Sequence, residues 1–89
     1  MFDWDEHNRE HVREHGVDPR EVEQALIDPD RIGAAAYRSG GERRWALIGA
    51  TEAGRTLFVV YTRRGRRIHV VTARSAATSE IRRYRGKGK

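Results

Sequence analysis

The spacing of apolar residues changes near residue 31, from helical intervals to alternation. Trp4-Asp5-Glu6-His7-Asn8 opens a helix with Asp5 as its N-cap, since a short acidic side chain can accept a hydrogen bond from an amide of the first turn. His15-Gly16 closes it, because glycine enters the left-handed backbone of a helix stop at little cost. Asp18-Pro19-Arg20-Glu21 starts a second helix: Asp caps, Pro takes the first position, and Glu three residues after the cap completes a capping-box arrangement. Val17, Val22, Ala25 and Leu26 share one stripe of it, and Asp28-Pro29-Asp30 stops it.

Beyond that point the period is two. Residues 31–38 form an alanine-rich strand suited to a sheet edge, and Ser39-Gly40-Gly41 turns into a second strand over residues 42–51. Glu52-Ala53-Gly54-Arg55 turns again. Residues 56–62 are apolar on both faces, as a central strand covered on each side requires. Arg63-Arg64-Gly65-Arg66 makes the last turn, before a fourth strand over 67–73. Ser75 then reads as the N-cap of a final helix over 76–84, in which Glu80 precedes Arg83 at i+3. The order predicts an α+β fold of two N-terminal helices, a four-stranded antiparallel meander and a C-terminal helix.

With 89 residues the chain makes one domain, expected over residues 1–85 with a disordered basic tail at 86–89. The longest apolar run, Leu57 to Tyr61, is too short to cross a membrane, and the acidic start is unlike a secretory signal. A soluble cytoplasmic protein is the expectation. With no cysteine there is no disulfide, thiolate nucleophile or Cys-based metal site.

Charge adds more. Eighteen Lys+Arg against thirteen Asp+Glu give a net +5, and sixteen of the bases are arginine. Residues 1–30 hold ten acids and three bases, while residues 31–89 hold three acids and fifteen bases. So basic a segment suits a polyanion, and arginine favours bidentate phosphate contacts. Alternatively, the acidic segment packs beside the basic one and neutralises it internally.

His7, His11 and His15 share a helix face at i, i+4 and i+8, but no further acid fixes a fourth ligand, and no metal or cofactor is expected. The arginines are the stronger set. Arg38, Arg44, Arg63, Arg64, Arg67 and Arg74 all fall on strands or turns of one meander, and Arg74 stands beside the start of the last helix, where free amides favour phosphate. Trp4 and Trp45 read as core.

Three blocks resemble one family: Phe2-x-Trp4-Asp5-x-x-Asn8-x-x-His11-Val12-x-x-His15-Gly16-Val17, then Leu57 to Thr62, then Ile68 to Arg74 followed by Glu80 and Tyr84. Together, over about residues 2–85, they resemble the BrnT toxins of type II toxin–antitoxin systems. The resemblance implies a RelE-like fold, endoribonuclease activity, and a BrnA-like ribbon–helix–helix antitoxin that holds the toxin inactive. It also implies a heterotetramer of two toxins bridged by an antitoxin dimer, with DNA contacted only through the antitoxin.

Cleaving RNA without metal requires deprotonating the 2′-OH, stabilising the non-bridging phosphate oxygens and protonating the 5′-oxygen. Histidine ordinarily titrates near neutrality, which suits His15 to proton transfer or substrate positioning. Glu80 or Glu42 serves as an alternate base, Arg44 and Arg74 clamp the phosphate, and Tyr84 stacks on a base or donates a proton. Arg38, Arg63, Arg64, Arg67 and His69 complete the RNA contacts. The competing readings are a non-catalytic basic module that docks an antitoxin or nucleic acid and, with less in its favour, a DNA-binding repressor, against which both early helices are acidic.

Overall fold

The chain enters through a two-residue strand, β1 (Phe2–Asp3), and turns into α1 (Glu6–Glu14). The Asp5 side chain accepts the Asn8 amide at 2.9 Å while Asn8 Oδ1 accepts the Asp5 amide at 2.8 Å. Asparagine thus closes the box that glutamate or glutamine usually closes. Gly16 stops α1 with φ +74°, and α2 (Pro19–Ile27) begins as the sequence predicts, with Asp18 as cap and Glu21 accepting the Asp18 amide at 3.0 Å. The structure, a computed structural model, describes residues 1–86; residues 87–89 of the expected tail lie outside the described residues.

Four long strands follow: β2 (Ile32–Ser39), β3 (Glu42–Ala50), β4 (Thr56–Arg64) and β5 (Arg67–Ser75), with α3 (Thr78–Gly86) last. The strand order is β1-β5-β4-β3-β2. As predicted, β4 is central and β2 lies at an edge. The expected four-stranded antiparallel meander is, however, part of a five-stranded mixed sheet, because β1 pairs in parallel with β5. Two residues carry no readable alternation. The Ile68 amide donating to the Met1 carbonyl at 2.8 Å and Phe2 packing on the core are what hold β1 in place.

Three further boundaries differ from the sequence reading. Gly86, expected in a disordered tail, is the last residue of α3. Arg63 and Arg64 belong to β4, not to a turn, since Arg64 pairs directly with Arg67. Ser75 is the last residue of β5 and does not cap α3; its hydroxyl accepts from Arg55 Nη2 at 2.7 Å. Glu80 takes over part of the capping role, its carboxylate accepting the Ala77 amide at 2.7 Å.

One face of the sheet carries α1 and α2 over Leu47, Leu57, Val59, Val70 and Ala73, which pack with Val12, Val17, Val22, Ala25 and Leu26 as the core. Trp4 packs against this core and donates to Glu23 at 2.8 Å. Gly49 admits α2: a Cβ there would stand 2.3 Å from the Ala25 carbonyl oxygen. The opposite face is crossed at one end by α3, and Ala46, Ile48 and Val60 are buried on it. Among the described residues no helix is long and apolar enough to cross a membrane.

Candidate active site

The faces follow from register. On β4, Phe58, Val60, Thr62 and Arg64 alternate onto the α3 side, and their partners on β5 are Arg74, Thr72, His69 and Arg67. Arg74 and Thr72 are even-numbered whereas His69 and Arg67 are odd. The parity changes because β5 carries an extra residue, Val71, between the Val60–Thr72 and Tyr61–Val70 pairs. This bulge turns His69 and Arg67 onto the same face as Arg74.

One cross-strand row on that face spans all five strands. Tyr37 pairs with Arg44, Thr62 with His69, and His69 with Asp3, while Thr62 follows directly on the Trp45–Tyr61 pair and so faces Arg44. Thr62 is buried and donates its hydroxyl to the Arg43 carbonyl at 2.7 Å, fixing the middle of the row. His69 Nδ1 approaches Asp3 Oδ2 at 3.5 Å, with the His69 side chain 13% exposed. Glu42 lies beside the row, 3.8 Å from Arg44 Nε and 3.6 Å from Arg64 Nε. Arg67, paired with Arg64 and exposed, adds a third guanidinium.

Two atoms of this row, Arg44 Nε and His69 Nδ1, are buried without a hydrogen-bond partner among the described residues. Each such group costs about 1–3 kcal/mol unless something satisfies it. Both stand in one row, among three arginines. An imidazole backed by a carboxylate supplies proton transfer, and the guanidiniums supply the positive charge that a phosphoryl transition state needs.

The other expected site residues lie elsewhere. Arg74 is on the same face but far along β5, where Nη1 and Nη2 donate to Glu80 at 2.8 and 2.9 Å and the guanidinium sits 4.4 Å over the Phe58 ring. The hydrogen bonds from Arg74 hold the Glu80 carboxyl below its ordinary range, and Glu80 in turn raises Arg74. A carboxylate so held is a poor proton acceptor, and the phosphate-gripping edge of Arg74 is occupied. Tyr84 donates its hydroxyl to Asp28 Oδ2, which also accepts the Ala50 amide. His15 caps the exposed end of α1, its ring 5.3 Å from that of His11, on the side of the sheet that carries the helices. Arg38 pairs with Arg43, and Arg63 lies 5.7 Å over the Trp45 ring, both away from the row.

Burial, and then the hydrogen bond to Asp28, push the Tyr84 phenol up to about 12. In the unfolded chain a phenol titrates near 10. Folding therefore favours its protonated form, a contribution intact below pH 10 that fades as pH rises through 12. Denaturant unfolding at stepped pH should show this alkaline decline in the wild type and a smaller one in Tyr84→Phe.

Asp3 and Tyr37 were not anticipated as site residues. Asp3 reaches His69 only through the parallel pairing of β1, and Tyr37 reaches Arg44 only through the β2–β3 register. Residues 4–80 match the sequence family described as the ribonuclease toxin, BrnT, of type II toxin-antitoxin systems. No curated protein matches the chain.

Proposed function

The chain belongs to the BrnT ribonuclease toxins of type II toxin–antitoxin systems, and from that premise we propose that it cuts RNA at the row formed by Arg44, His69 and Asp3. The observation that carries this reading is the register that sets Arg44, Thr62, His69 and Asp3 in one row on the basic α3 side, with His69 Nδ1 3.5 Å from Asp3 Oδ2. His69 takes the proton of a 2′-OH, the 2′-oxygen bonds to the adjacent phosphorus, and the bond to the 5′-oxygen breaks, with solvent supplying that oxygen's proton. Arg44 and Arg64 neutralise the charge that gathers on the non-bridging oxygens, and Arg67 extends the cationic track along the strand. Asp3 is a positioning residue behind the imidazole. The guanidiniums supply the positive charge a divalent ion would otherwise bring, so cleavage is independent of metal.

Cutting messages in the cytoplasm removes templates from translation and arrests growth. A BrnA-like antitoxin with a ribbon–helix–helix domain restrains the activity, in a heterotetramer whose DNA contacts come from the antitoxin. Purified protein should degrade RNA equally well with and without EDTA, as followed on denaturing gels. Intact RNA beside undiminished RNA binding would favour a non-catalytic basic module instead. Loss of cleavage on adding EDTA, restored by a divalent ion, would overturn the metal-free mechanism.

A further inference from the structure

The face carrying α1 and α2 is not covered to its edge. Beside β2 lies a groove of about 590 Å³ whose lining includes Pro29, Ala34, Ala36, Trp45, Leu47 and Tyr61. Trp45 and Tyr61 stack at 5.9 Å, and the guanidiniums of Arg43 and Arg63 lie 5.5 and 5.7 Å from the Trp45 ring. Arg31 lines the groove and Arg38 follows its alanines along β2. Among the described residues no carboxylate lines it.

Among the described residues, the strand that bounds the groove pairs with another strand on one side only. β2 ends the sheet order, runs eight residues, and contains neither proline nor lysine, the usual guards of a sheet edge. The bulge at Ala34 bends only its beginning, and Ala35 to Ser39 continue in regular register with β3. Gly33 O accepts from Arg83 Nη2 at 3.2 Å, which occupies the edge at one end.

We propose that this edge and groove receive an extended, acidic segment of a protein partner, which pairs with β2 as a sixth strand. Aliphatic side chains of that segment fill the space over Ala34, Ala36 and Leu47, and carboxylates meet Arg38, Arg43 and Arg63. Charge complementarity selects an anionic occupant, and the unpaired edge distinguishes a peptide from nucleic acid: a strand's amides and carbonyls pair with another backbone in ladder register, which RNA cannot supply. The inference deepens the family reading, from which the expectation of a neutralising partner comes, and it locates that partner across the sheet from the cleavage row.

The probe is a fluorescein-labelled synthetic octapeptide, Glu-Thr-Glu-Thr-Val-Thr-Val-Thr, with a counterpart carrying Lys for Glu and a non-cleavable 2′-O-methyl oligouridylate. Anisotropy measures binding, and hydrogen–deuterium exchange locates it. The acidic peptide should bind and protect the amides of residues 32–39. Ala36→Glu and Arg43→Glu, both at exposed positions, should each weaken it more than about tenfold, and the Lys peptide should bind no better than those variants. Both variants should keep wild-type RNA cleavage, so that failure here is distinct from failure of the nuclease reading. The proposal is overturned by equal binding of the two peptides, by no protection of β2 at millimolar peptide, or by oligouridylate protecting residues 32–39 in its place.

Discussion

Replacing His69 by alanine lowers RNA cleavage by about two to four orders of magnitude, the range that general acid–base catalysis contributes. The thermal unfolding midpoint changes little by comparison, because removing the ring also removes a buried nitrogen that has no hydrogen-bond partner. Arg44→Ala falls about 10²–10³-fold for the corresponding reason, loss of one charge aimed at the developing anion. His15→Ala, at the exposed end of α1, should retain most activity. Cleavage assays on matched, folded variants check the three together. A His69→Ala protein as active as wild type would remove the proton-transfer role, while one that unfolds would be replaced in the test by His69→Asn.

Gly49→Ala should be among the most destabilising single-methyl additions available to this chain. The added Cβ would meet the Ala25 carbonyl oxygen at 2.3 Å and its carbonyl carbon at 3.0 Å, and both are backbone atoms. A flexible side chain could swing away; α2 can only move as a unit, lifting Val22, Ala25 and Leu26 from the core. Overpacking ordinarily costs about 1–3 kcal/mol, and a rigid backbone obstacle places this case above about 3 kcal/mol. For a domain of this size each kcal/mol lowers Tm by about 4–8 °C, so calorimetry should register a fall of more than about 12 °C. A fall below about 4 °C would mean that α2 sits less tightly on β3 than Gly49 implies.

The helices were legible because their signals are local. Asp5, Asp18, Pro19 and Gly16 state helix starts and a stop within a few residues, and each acts as its chemistry dictates. The central position of β4 followed from its two-sided apolar character in the same way. What escaped depends on contacts distant in sequence. β1 exists through the pairing of Phe2 and Asp3 with Ile68 and His69, and nothing local announces it. Ser75 looked like a cap, yet the strand continues through it because Leu57 pairs with it and Arg55 binds its hydroxyl.

The proposed cleavage row was the least legible part. Strict alternation backwards from Arg74 would turn His69 and Arg67 to the opposite face, and only the extra residue at Val71 reverses them. Arginine content pointed to an anionic ligand. It could not show that Arg38 and Arg63 belong with Trp45 on one face while Arg44, Arg64 and Arg67 belong with His69 on the other. Nor could it show that Glu80 already occupies Arg74, which takes a bidentate contact between a strand end and a helix start.

The most direct test of the account is a crystal structure with a short 2′-O-methyl RNA, in which the nucleophile is blocked. A phosphate should lie on the α3 side of the sheet, within hydrogen-bond reach of the Arg44 guanidinium and His69, with the strand continuing past Arg64 and Arg67. RNA seated instead on Trp45 and Tyr61, or held by His15 and leaving Arg44 and His69 untouched, would contradict it.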